Sequence, residues 1–158
     1  MQGFDYSSDN IYFVTICVQN RECCFGYVGT GRDLSAHHSN ENHLSGAKMN
    51  LNEYGKIVAE QIVWLEEQYQ YVVIHNYVVM PNHVHIIIEI DAAGTGRDLS
   101  VQKIKSLSSL IGAFKTTSSK IIHKSGFLDF AWQRSFHDHI IRNEKSYLNI
   151  NNYIDSNP

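Results

Sequence analysis

Three groups of residues have the types and spacing to do chemistry. The first is His83-Val84-His85, which follows Met80-Pro81-Asn82 and leads into Ile86-Ile87-Ile88. On a strand, side chains at i and i+2 share a face, so the two imidazoles project together and Val84 points away. Two neighbouring imidazoles on rigid backbone are a ready ligand pair for a divalent metal. The second group, His137-Asp138-His139, repeats the spacing and by spacing alone serves as well. The third is Tyr153 with Asn157, four residues apart and so on one face of a helix. A phenol can be a covalent nucleophile, and an amide oxygen can complete a metal site beside it. Tyr147 is the nearest rival nucleophile. Each group also has a plainer reading, as part-exposed histidines on a sheet or an aromatic packed against one. The other histidines (His37, His38, His43, His75, His123) have no partner spacing.

The elements that must carry these residues follow from periodicity. Ile11 to Gln19 is rich in β-branched and aromatic residues and predicts a strand. Arg21 to Lys48 is loop-like. Asn50 to Tyr69 predicts a helix, with Val58, Ile62, Leu65 and Tyr69 at helical spacing and Asn50 or Asn52 as its cap. Tyr71 to Val79 and His83 to Ile90 predict two strands, joined so tightly by Met80-Pro81-Asn82 that they form an antiparallel hairpin. Asp91 to Ser100 is a loop. Val101 to Ile122 predicts a second helix, with Ile104, Leu107, Ile111, Phe114 and Ile121 near one face. Phe127 to Ile141 contains a further strand. Glu144 to about Ser156 predicts a last helix with Asn143 as cap. The order is that of the α+β, ferredoxin-like split βαβ plan, an antiparallel sheet with helices on one face, plus a C-terminal helix that carries the tyrosine. Many functions use that plan, so the fold does not choose among them.

Composition narrows the field. The 158 residues make one domain, 1–158, with loop insertions near 21–48 and 91–100. Hydrophobic residues are 43% and charged residues 18%, a foldable balance. No apolar run is long enough to span a bilayer, and the polar start lacks an apolar signal core, so a soluble cytoplasmic protein is expected. Cys17, Cys23 and Cys24 are odd in number, lack zinc-type spacing and read as reduced thiols. The net charge of −3 argues against a nucleic-acid partner, but its distribution does not. Arg97 to Lys145 holds nine basic residues against four acids, a local surplus of five on an otherwise acidic chain. Such asymmetry permits an anion-binding face, although a solvated helix surface gives the same count.

One heptapeptide occurs twice. Gly29 to Ser35 and Gly94 to Ser100 both read GTGRDLS, 65 residues apart, with unlike flanks. A glycine-rich loop before a helix can hold phosphate. Neither copy has the Walker or GxGxxG pattern, so a loop insertion is the better expectation.

The chain resembles the single-tyrosine HUH transposases of the IS200/IS605 type, and within them the REP-associated tyrosine transposases. Three patches carry the resemblance: VVMPNHVHIII, WQRSFHDHIIRNE and the terminal YIDSNP, with YFVTICV fitting the first strand. The family's His-hydrophobe-His motif falls on His83, Val84 and His85. Its Tyr-Ile-x-x-Asn/Gln pattern falls on Tyr153 to Asn157.

The resemblance implies a metal-dependent single-stranded DNA endonuclease and strand-transferase that acts beside DNA hairpins through a 5′-phosphotyrosine. It implies Tyr153 as nucleophile, His83, His85 and Asn157 as ligands of Mg²⁺ or Mn²⁺, and a homodimer. The DNA-holding candidates are Gln133, Arg134, His139 and a basic helix from Lys103 to Lys124 that includes Lys105, Lys115 and Lys120. Trp132 and Phe136 can stack on bases or pack in the core. Relatives live beside short palindromic DNA repeats, which suggests that GTGRDLS is a translated repeat tolerated in loops. Two other readings stay open: a catalytically idle hairpin-binding domain, and an unrelated metal-binding protein of ferredoxin-like fold.

Overall fold

The structure is a computed structural model that describes residues 10–29, 46–91 and 103–158. The elements in chain order are β1 (Ile11–Cys17), β2 (Gly26–Gly29), β3 (Lys48–Leu51), α1 (Glu53–Gln68), β4 (Val72–Met80), β5 (His83–Ile90), α2 (Leu107–Lys124), β6 (His137–Ile140) and α3 (Glu144–Ser156). A tight turn at Gln19–Arg21 follows β1. The main sheet has the order β4-β5-β1-β6, antiparallel throughout. With the crossover helices this is the ferredoxin-like arrangement expected from the sequence.

Period-2 alternation assigns the faces. Val14 and Ile16 of β1 and Val84, Ile86 and Ile88 of β5 pack against α1 (Val58, Ile62, Leu65) and α2 (Leu110, Ile111, Phe114, Ile122). The opposite face carries Ile11 and Phe13 of β1 and Ile87 of β5, under Tyr147, Ile150 and Ile154 of α3. Both faces of β5 are therefore covered, and every residue from Val84 to Glu89 is buried. That explains why its sequence reads as an almost unbroken apolar run.

Several boundaries differ from the sequence expectation. The loop-like stretch 21–48 contains β2 and the start of β3, which pair as a small antiparallel ribbon. The second helix begins at Leu107, where the Ser106 side chain accepts from the Ser109 N–H, not at Val101. Ile104 therefore lies outside the helix, and Ile122 is the fully buried residue of the last turn while Ile121 is only half-buried. Asn52 caps α1 and Asn143 caps α3, each accepting from the N–H three residues on. The second GTGRDLS copy and all of the first but Gly29 lie outside the described residues. Among the described residues, no helix is long and apolar enough to cross a membrane.

Candidate active site

The pairing Cys17↔His83 and Thr15↔His85 puts both β5 histidines on the α3 face, beside the C-terminal end of β1. Their rings are 4.7 Å apart, centroid to centroid. His85 is 6% exposed and stacks on Phe13 at 5.2 Å. Its Nδ1 lies 2.9 Å from the Thr15 hydroxyl and its Nε2 lies 3.4 Å from the Tyr153 hydroxyl. His83 Nδ1 lies 2.7 Å from Asn82 Oδ1. An amide oxygen only accepts, so His83 Nδ1–H donates to it, and the neutral ring keeps its Nε2 lone pair. The same assignment at His85 has Nδ1–H donating to Thr15 and Nε2 accepting from Tyr153. Burial holds His85 down at about 4, with the neighbouring His83 adding to the effect. Burial also lowers His83, and the Arg21 charge lowers it further. Two neutral imidazoles with oriented Nδ1–H groups and Nε2 lone pairs are the form a metal ligand requires, and an ion on His85 would take the place of its Tyr153 contact.

Tyr153 reaches this pair from α3. Its ring meets Phe13 edge-on at 6.4 Å and His85 at 5.4 Å, yet the side chain is 49% exposed. A phenol held against an imidazole but open to solvent can meet an incoming electrophile. The rival Tyr147 is 7% exposed, with its hydroxyl 3.0 Å from His75 Nδ1. Asn157 follows the last turn of α3, and its Nδ2 donates to the Tyr153 carbonyl at 2.7 Å. Its Oδ1 takes no hydrogen bond among the described residues, so the end of the amide that can ligate is unengaged.

The second histidine pair sits on the edge strand. His137 pairs with Thr15 and His139 with Phe13, so both share the face of His85, but one strand beyond β1 and exposed. Among the described residues no cluster of three or more His, Cys, Asp or Glu side chains forms a metal site. Among the described residues, the histidine pair beside a phenol is the one on β5.

The basic residues divide by place. Lys115, Lys120, Gln133 and Arg134 line one groove of about 660 Å³ between α2 and residues 130–134, together with Lys124. The groove adjoins the histidine end of the sheet, because Trp132 bridges Val18 and the Gln133 N–H donates to the Cys17 carbonyl. Lys103 and Lys105 precede α2 and are exposed; the Lys105 N–H donates to the Tyr71 hydroxyl, at the far end of the sheet. They are not part of a basic helix, and the structure does not bring them to the histidines. Trp132 is in the core, with its Nε1–H on Ser118 Oγ at 3.0 Å.

Lys115 has a tertiary task. Its ammonium donates to the carbonyls of Gln133, Arg134 and Ser135 at 2.8, 3.2 and 3.3 Å, above the Phe136 ring. Burial lowers its pKa. Lys115→Met keeps the stem and removes three charged donors, so urea unfolding is expected to show a loss of about 1–3 kcal/mol. An unchanged urea midpoint would mean that Lys115 does not strap this segment.

Arg21 was not singled out in the sequence. Asn20 and Arg21 both have left-handed backbone, at φ 57° and 52°. The carbonyl of Arg21 accepts from Asn82 Nδ2 at 3.2 Å, on the same side chain whose Oδ1 orients His83. The asparagine thus ties a strained cationic turn to the histidine pair.

An antiparallel α+β sheet that presents two neutral imidazoles to an exposed phenol, next to a basic groove, defines a candidate DNA-cleaving domain. Residues 48–157 match the family described as "Transposase IS200 like", and the chain belongs to that family. Membership makes it a transposase in the broad sense. It is 32% identical over 169 residues to an uncharacterised protein of Haemophilus influenzae, covering 100% of this chain and 85% of that one. In fold it is similar to a REP-associated tyrosine transposase solved bound to a REP hairpin (TM-score 0.55, 20% identity, 98% of this chain and 70% of that one). It is also similar to a candidate transposase of Deinococcus radiodurans (TM-score 0.54, 12% identity, 98% and 95%).

Proposed function

We propose that the chain nicks and rejoins single-stranded DNA beside hairpins, with Tyr153 as nucleophile and a divalent ion held by His83, His85 and Asn157. The observation that carries this reading is the Tyr153 hydroxyl 3.4 Å from His85 Nε2, on a ring kept neutral by burial and oriented by Thr15. The donor set fits the ion: two imidazole nitrogens and an amide oxygen are borderline-to-hard ligands. Mg²⁺ or Mn²⁺ at that place supplies positive charge against the phosphodiester.

The residues divide the work. Tyr153 Oη, losing its proton to solvent, forms the bond to phosphorus. The P–O3′ bond breaks, and its electron pair leaves on the 3′ oxygen, which takes a proton from water. One ester replaces another, so rejoining needs no nucleotide cofactor. Arg21, beside His83, is placed to pair with a phosphate near the reacting one. The groove of Lys120, Lys124 and Arg134 supports a contact with the hairpin backbone, and the exposed His139 supports one with the strand crossing the sheet. That a similar structure was solved on a REP hairpin supports the same class of ligand here. A homodimer belongs to this reading, and sedimentation of the free protein tests it.

The decisive experiment offers single-stranded DNA with hairpins from the flanks of its own gene, plus Mn²⁺, and looks for a covalent adduct on a denaturing gel. Hairpin binding without an adduct indicates the idle binding domain. Lys120→Ala and Arg134→Ala are each expected to weaken hairpin binding and to lower the slope of log affinity against log salt by about 1. Unchanged slopes would place the backbone contact elsewhere.

A further inference from the structure

The pairing of β4 with β5 slips between Ile74 and Asn76, leaving His75 as an inserted residue. A bulge of this kind turns two successive side chains to one face. Ile74 and Tyr77 pack with the α1–α2 core, whereas His75 and Asn76 both reach α3. His75 Nε2 lies 2.7 Å from Glu89 Oε2 on β5, and Nδ1 lies 3.0 Å from the Tyr147 hydroxyl. Asn76 Nδ2 donates to Asn151 Oδ1 at 2.9 Å and to Asp155 Oδ1 at 2.8 Å, and Asn151 Nδ2 donates to Asp155 Oδ2 at 3.2 Å. Asn76 Oδ1 is itself fixed by the Tyr77 N–H at 2.8 Å.

These contacts form a seam along one flank of α3. Tyr147, Asn151 and Asp155 are spaced i, i+4, i+8, so they stay within about 80° of one another at about 100° per residue. Tyr153 lies about 160° from Asp155, on the other flank, facing β5 and β1. The apolar contacts beneath the helix, Ile150 and Ile154, are aliphatic and tolerate a small roll or slide. Directional bonds to Asn76 and His75 do not, because a slide of one residue breaks them.

We infer that the bulge pair His75 and Asn76 sets the rotation and register of α3 and so holds the Tyr153 hydroxyl over His85. They are positioning residues for the nucleophile, and this role rests on the reading of Tyr153 given above. Displacing a reacting group by about 1 Å costs on the order of a hundredfold in rate, so a loosened seam shows first in cleavage.

The test exchanges donor and acceptor. Asn76→Asp loses both donated bonds and faces Asp155 with a like charge. Asp155→Asn in the same chain removes the like charge and restores the bond between positions 76 and 155 with donor and acceptor exchanged. Single-turnover cleavage in Asn76→Asp is expected to fall about 10–100-fold. Hairpin affinity should stay within about twofold, and amide exchange should rise over α3 but not over α1 or β5. The double variant should return to within about threefold of wild type, with α3 protection restored, a coupling that lost packing does not produce. Wild-type cleavage and exchange in Asn76→Asp overturn the inference, as does a double variant no better than the product of its singles. A general rise in exchange across the sheet, with hairpin affinity lost in step, also overturns it by making the seam merely structural. If the wild type forms no adduct, the nuclease reading fails separately. Exchange over α3 then still decides whether the seam sets the helix.

Discussion

Tyr153→Phe is expected to abolish the covalent protein–DNA adduct, lowering its rate of formation by about a thousandfold or more. The substitution removes one oxygen and little else. The ring keeps its edge-on contacts with Phe13 and His85, the Tyr153 side chain is 49% exposed, and the buried atom that loses a partner is His85 Nε2. The lost contact to His85 Nε2 is long at 3.4 Å. Stability should therefore change by about 0.5 kcal/mol or less, and hairpin affinity should be retained. A thermal melt and a binding titration beside the gel separate lost chemistry from lost fold. An adduct that persists in Tyr153→Phe and vanishes in Tyr147→Phe would move the nucleophile to Tyr147. The structure argues against that outcome, because the Tyr147 hydroxyl is buried against His75.

What the sequence disclosed, and what it hid, follows the range of the interactions involved. His83 and His85 share a face because β5 alternates, and alternation is local. The Asn143 cap and the spacing of Tyr147, Ile150 and Ile154 were equally visible, so α3 was delimited to within a residue. The β2–β3 ribbon was not, since four-residue strands separated by residues 30–47 carry no hairpin signal. The early start expected for α2 had a local cause: Ile104 happens to fit the helical period, while the cap lies at Ser106.

The site was hidden wherever tertiary contacts decide. His75 had no partner spacing because its partners, Glu89 and Tyr147, are supplied by β5 and α3. No residue type announces the inserted position that turns it toward them. Lys115 counted as surface charge, yet its donors are spent on three carbonyls of a segment about twenty residues on. Arg21 came to His83 only through the left-handed turn at Asn20, a conformation that asparagine permits but does not require.

Removing the ion and removing His85 are expected to have the same effect, and that agreement is the strongest test of the metal reading. In EDTA the adduct should disappear, and an excess of Mn²⁺ should restore it. His85→Ala should lower adduct formation by about a thousandfold or more at metal concentrations that saturate the wild type, while hairpin binding persists through the basic groove. The subtler variant is Thr15→Val. It leaves both imidazoles and the Tyr153 contact in place and removes only the hydroxyl 2.9 Å from His85 Nδ1. If that hydroxyl selects the tautomer with its lone pair on Nε2, calorimetric Mn²⁺ affinity should fall about 10–100-fold, as such orienting partners usually cost. High Mn²⁺ should then recover cleavage in Thr15→Val but not in His85→Ala. Full cleavage in EDTA would overturn the role of the ion. Normal Mn²⁺ affinity in His85→Ala would instead move the ion off β5, and His137 and His139, one strand beyond Thr15 and Phe13, would be the pair to test next.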